Sequence, residues 1–145
     1  MNPTEKLAET VESFCHFIEE LPREMLVEQD WGPKEVLAHL LFYHEGYGQE
    51  IEAQLADKPF DLPQGRFRDL NAQAAAASRG IPIDELLRRF RAADERLRRW
   101  YQTHNPETLP IEIKQGGKTW TLAELVPAIE RHVGNHHRQL QQQEH

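Results

Sequence analysis

Hydrophobic positions recur at helical spacing along most of the chain. In the first segment, apolar residues are separated alternately by four and three positions, the repeat of one helix face: Leu7, Val11, Phe14, Ile18 and Leu21. Pro3 suits the first turn of a helix, and Pro22 marks its end. The pattern predicts an amphipathic helix between these prolines, and it predicts that Cys15, on the apolar stripe, is buried.

A second helical pattern begins at Gly32-Pro33, where a glycine N-cap precedes a first-turn proline, and it continues to about Ala56. Prolines and Gly65 indicate a connection after it. The segment 67–79 has high helix propensity, and Gly80 is its expected C-terminal cap.

A further long helix is predicted from Ile83 to Tyr101, because apolar residues recur along one face and its acidic start and basic end complement the helix dipole. The pattern then changes. Ile111 and Ile113 alternate with charged residues, and Gly116-Gly117 offers a tight turn, so 109–121 predicts a short β-hairpin.

The last helix is predicted to begin at Thr121, which has capping-box spacing with Glu124. Its apolar stripe extends to Leu140. Pro127 predicts a kink or a restart, and the polar tail from Gln141 is expected to fray.

These elements predict an all-α fold. Four long helices with short connections favour an up-and-down four-helix bundle, with a short additional helix and a small β-hairpin before the last helix. A chain of 145 residues has the size of one ordinary domain, so residues 1–145 are predicted to form a single helical bundle domain.

Composition narrows the functional classes. A formal net charge of −7 argues against a nucleic-acid partner, because phosphate binding requires an excess of Lys and Arg. The single cysteine excludes an intrachain disulfide and fits a reducing compartment. The sequence has no apolar run approaching the ~18 residues of a membrane span, so a soluble, cytoplasmic protein is expected.

Eight histidines are the most informative feature of the composition. His132 and His136 are one helical turn apart, so both rings project from one face, as two ligands of one metal ion must. His137 points about 100° away from its neighbour. On the second helix, His39 lies on the flank of the apolar stripe and His44 lies within it, and spacing alone leaves both open as a third ligand.

The segments DWGPKEVLAHL (30–40) and RHVGNHHRQL (131–140) resemble those of the DinB-like (DinB/YfiT-type) four-helix bundle superfamily, including its ClbS/DfsB-type branch. In that superfamily a Trp opens the second helix and a His-Leu pair begins eight positions later, which corresponds here to Trp31 and His39. The resemblance therefore implies a metal triad of His39, His132 and His136, holding a divalent ion such as Zn²⁺ or Ni²⁺.

Two departures from the family pattern leave alternatives open. The Arg-Gly-Gln that often follows the histidines is Arg138-Gln139-Leu140 here, and an alignment anchored on Arg138 shifts the pair to Val133 and His137. The ClbS/DfsB-type branch often has an acidic residue where this chain has His44, and its members need not hold a metal.

Three functions follow as hypotheses. The first is a metal-dependent enzyme that activates water or a thiol for hydrolysis or thiol transfer on a small electrophile. The second is a metal-free protective protein of the ClbS/DfsB type, which binds or inactivates a reactive genotoxic small molecule. The third is a non-catalytic stress-response module, with a homodimer as one form. A groove for the small molecule is expected to be lined by six residues: Trp31, Tyr43, His44, Tyr47, Trp100 and Trp120.

Overall fold

A computed structural model describes residues 2–143, and this part of the chain forms five α-helices and one β-hairpin. The elements in chain order are α1 (Pro3–Glu20), α2 (Pro33–Leu55), α3 (Phe67–Ser78), α4 (Ile83–Thr103), β1 (Pro110–Glu112), β2 (Thr119–Thr121) and α5 (Leu122–Gln143). The predicted all-α bundle, its short additional helix and the hairpin before the last helix are confirmed. Among residues 2–143, no helix combines the length and the apolar character needed to cross a lipid bilayer.

Local sequence signals set the helix ends. At the start of α2, the carboxylate of Glu35 accepts the backbone N–H of Gly32 at 2.9 Å. At the start of α5, Thr121 and Glu124 form the predicted capping box, each side chain accepting the other residue's backbone N–H at 3.0 to 3.1 Å. Gly80 follows α3 with φ +77°, a left-handed conformation that favours glycine.

The long helices are not all packed against their neighbours in sequence. α2 packs on α4 and carries α3, whereas α1 packs on α5 and α4, and α5 also approaches α2. The core between them is closed by apolar side chains, including an edge-to-face pair of Phe14 and Phe90 with ring centroids 6.1 Å apart. Cys15 is buried as predicted. The approach of α5 to α2 brings residues far apart in sequence onto one shared face.

The last helix was predicted to kink or restart at Pro127 and to fray from Gln141. It continues through Pro127 without a restart, because the missing proline N–H leaves only one carbonyl, that of Ala123, without its helical partner. Val126 and Ile129 are buried on either side of the proline and hold the helix against the core. The tail expected to fray from Gln141 is helical to Gln143, and its last two residues lie outside the described part of the chain.

Candidate metal centre

Three histidine rings from two helices converge where α5 approaches α2. Nε2 of His132 lies 3.2 Å from Nε2 of His39 and 3.0 Å from Nε2 of His136. One ring nitrogen from each residue lies within 4.8 Å of the others, so the three histidines could hold a metal ion. Helical spacing aligns His132 with His136, and the packing of α2 adds His39 from 93 residues away.

The ring of His39 is oriented by Asn71, a residue of α3. Nδ1 of His39 lies 2.8 Å from Oδ1 of Asn71, an acceptor, so Nδ1 carries the proton and donates it. Nε2 of His39 then presents its lone pair to the other two rings. A metal-binding imidazole commonly has such an outer partner, which sets the tautomer and the ring direction. No periodicity singled out Asn71 in the sequence, because its role depends on how α3 lies against α2.

Neutral imidazoles alone do not satisfy the three Nε2 atoms. His39 offers a lone pair, and Nε2 of His132 has either a proton or a lone pair. If Nε2 of His132 is protonated, it can donate a hydrogen bond to His39 or to His136 but not to both. If Nε2 of His132 is not protonated, its lone pair faces the lone pair of His39, and the two repel each other. Three nitrogens around a tetrahedral ion at 2.0 to 2.1 Å are about 3.3 Å apart. The two distances from Nε2 of His132, 3.0 and 3.2 Å, are close to this spacing, and a ring nitrogen of His39 lies within 4.8 Å of one of His136.

Burial keeps the three rings in the neutral form that binds metal. It lowers the pKa of His39 to about 4, with a further contribution from the charges of His132 and His136. Burial, followed by the charge of His136, lowers the pKa of His132 to about 4. The pKa of His136 is also lowered by burial. At neutral pH the lone pairs are therefore available without displacing protons.

The triad faces a cavity of about 350 Å³ whose walls are mainly aromatic. The ring of Trp31 lies 5.6 Å from that of His39, centroid to centroid, and the ring of Tyr43 lies 5.1 Å away on another side. Trp31 is 42 % exposed, which places it at the mouth of the cavity. The remaining lining residues are Tyr47, Phe67, Asn71 and Ile113. The three histidines that could hold an ion therefore border an open cavity instead of being enclosed on all sides.

Three of the six predicted groove residues, Trp31, Tyr43 and Tyr47, line this cavity, and the other three are not among its lining residues. His44 lies five positions beyond His39, about 140° around α2, where it is 2 % exposed and its Nε2 is 3.4 Å from Asp94 Oδ1. Trp100 is on α4.

Trp120 is on the hairpin, where it pairs with Ile111 and lies under the ammonium of Lys118 at 4.0 Å. Its position shows why aromatic residues at regular spacing did not identify the cavity wall. Each such ring packs wherever its own helix or strand faces, and only some of these faces meet at the triad.

The alternative register, which would use His137, is not compatible with the structure. The ring of His137 points toward α1, where its centroid lies 5.0 Å from that of Phe17 and 6.1 Å from that of Phe14. This is the direction expected from the rotation of one residue along α5. His132 and His136 are therefore the pair that faces His39.

Comparison with known proteins identifies the fold and nothing more. No family model and no curated protein matches the chain. An uncharacterised protein of Clostridium difficile 630 has a similar structure, with a TM-score of 0.77 and 12 % identity over 97 % of this chain and 94 % of that one. An uncharacterised protein of Escherichia coli UTI89 gives a TM-score of 0.74 and 11 % identity over 97 % of this chain and 87 % of that one.

Proposed function

We propose that this chain is a divalent-metal-dependent enzyme of the DinB-like superfamily that acts on a small electrophile by hydrolysis or thiol transfer. The observation that carries the proposal is the convergence of His39, His132 and His136 beside an aromatic cavity. Zn²⁺ and Ni²⁺ both accept imidazole ligands, and the donor set suits either ion.

The residues around the triad have separate roles in this proposal. Asn71 holds His39 in the tautomer that offers Nε2, and burial keeps the three rings neutral. The aromatic walls bind an apolar substrate body and exclude bulk water from the triad. A bound ion supplies Lewis acidity, which lowers the pKa of a water or thiol beside it.

Metal content is the first test. Protein without an affinity tag, purified without a nickel column, is analysed by inductively coupled plasma mass spectrometry and titrated with Zn²⁺ and Ni²⁺. We expect one equivalent of metal in the wild type and its loss in His132→Ala. His104→Ala is the matched control, since His104 is exposed at the end of α4. Absence of stoichiometric metal, or equal binding by His132→Ala, would overturn the proposal.

Reaction class is tested separately with metal-loaded protein. 1-Chloro-2,4-dinitrobenzene with added cysteine reports thiol transfer, and p-nitrophenyl acetate without thiol reports hydrolysis. We expect one of these reactions to exceed the rate of His132→Ala by more than about tenfold, the contribution of a positioned catalytic group being at least that large. Equal rates in wild type and variant for both substrates would contradict an enzymatic role of this kind.

A further inference from the structure

A second cavity lies beside the one at the histidine triad, along the far half of α2. Tyr43, Tyr47 and Ile113 line both cavities, so the two spaces share a wall. We call the second space, of about 280 Å³, the Glu50 cavity. The connection between α2 and α3 covers it, and the backbone N–H of Gln115 donates to the carbonyl of Pro63 at 2.9 Å, which ties this cover to the hairpin.

The lining of the Glu50 cavity combines aromatic rings with carboxylates. Four rings contribute to the wall: Phe42, Tyr43, Tyr47 and Phe60. Four acids contribute as well: Glu45, Glu50, Asp61 and Glu112. Among the described residues that line it, none is Lys, Arg or His. Glu45 pairs with Arg89 outside the cavity, whereas Glu50, Asp61 and Glu112 form no ion pair with residues 2–143.

Glu50 is the most buried of the four lining acids. It is 9 % exposed, and its Oε1 accepts the backbone N–H of Glu112 at 2.9 Å. Its Oε2 accepts no hydrogen bond from residues 2–143. The pKa of Glu50 is raised to about 7, mainly by burial; the backbone hydrogen bond from Glu112 acts against this, and the charge of Glu112 adds to it. The carboxylate of Glu50 is therefore mostly buried, lines the cavity and has no cationic partner among residues 2–143.

We propose that the Glu50 cavity binds the ammonium group of a small organic amine. The ammonium donates to Oε2 of Glu50, and its methylene groups contact the faces of the surrounding rings, where a cation is attracted by the ring quadrupole. Because the two cavities share Tyr43 and Tyr47, an amine with an apolar body bound here extends toward the triad. The extension toward the triad would make the amine a substrate, and this part of the inference rests on the proposed function. Binding of the amine in the Glu50 cavity does not rest on it.

Calorimetric titration tests the site with 2-phenylethylammonium and with 2-phenylethanol, which has the same body and no charge. We expect the amine to bind at least about tenfold more tightly than the alcohol, since a hydrogen bond to a charged group is roughly twice as strong as a neutral one. Glu50→Gln keeps the acceptor for Glu112 and removes the charge, so amine affinity should fall by about tenfold to a hundredfold. Glu52→Gln, an exposed position on α2, is the matched control and should change affinity by less than about twofold.

The same titrations are repeated on metal-free protein, on zinc-loaded protein and on His132→Ala. Amine binding that survives in His132→Ala and depends on Glu50 supports the cavity even where the metal proposal fails. Equal affinity for amine and alcohol overturns the inference, as does unchanged affinity in a folded Glu50→Gln. The absence of saturable amine binding up to about 10 mM overturns it too, because that limit corresponds to a free energy weaker than about 3 kcal/mol.

Discussion

The hydrogen bond between His39 and Asn71 is the contribution of α3 to the metal centre, and Asn71→Leu removes it with little change of side-chain volume. Loss of such an outer partner typically costs about 10- to 100-fold in metal affinity, or about 1.4 to 2.8 kcal/mol. His39 is only 6 % exposed and its bond to Asn71 is short at 2.8 Å, so water does not readily replace the lost acceptor. We therefore expect a loss in the upper half of that range.

Zinc affinity is measured by competition with a chromophoric chelator at neutral pH. Asn71→Asp keeps an acceptor and adds a negative charge, so it should bind zinc at least as tightly as the wild type. Tyr43→Phe is the control for the second hydrogen bond that Asn71 accepts, from the Tyr43 hydroxyl at 3.3 Å, and it should stay within about twofold. Wild-type affinity in Asn71→Leu would refute the assignment of Asn71 as the residue that orients His39.

Two further predictions concern the folded state. Phe90→Ala removes a fully buried ring that packs against Phe14, so the free energy of unfolding in urea should fall by about 3 to 5 kcal/mol; a loss below about 1 kcal/mol would contradict the packing described. In metal-free protein the pKa of His39 is about 4 against an ordinary 6.5, so between these pH values the unfolded chain binds more protons and acid favours unfolding. The titration of His39 should lower the free energy of unfolding by roughly 3 kcal/mol as pH decreases from about 6.5 to about 4. A His39→Gln variant whose free energy of unfolding falls as much as that of the wild type over this range would rule out this contribution of His39.

Prediction of the helices depended on signals that are local in the chain. Apolar periodicity placed the long helices, and most of the ends lie within two residues of those observed because caps such as Gly32 and Thr121 act on their own turn. The hairpin was predicted from apolar residues that alternate with charged residues beside the glycine pair Gly116-Gly117. Of the two effects predicted for Pro127, a kink or a restart, the restart does not occur, because burial of the residues around it outweighs one lost backbone hydrogen bond.

Within the site, helical geometry alone determined that His132 and His136 share a face, since four residues make about one turn. The residues by themselves left His39 and His44 as alternatives, and the resemblance favoured His39. The structure brings His39 to the pair and buries His44 against Asp94, because the rotation of α2 about its axis is set by its packing on α4 and α5.

The sequence by itself determined which segments are helical, where they begin and end, and which side chains of one helix point the same way. These properties depend on contacts within one or two turns. Only the tertiary structure decided that Asn71 holds His39, that Trp100 and Trp120 are not among the residues lining the cavity at the triad, and that Glu50 lines a second cavity beside it. Each of these depends on how separate helices are rotated and spaced, which is a balance of contacts over the whole core and has no counterpart in local sequence pattern.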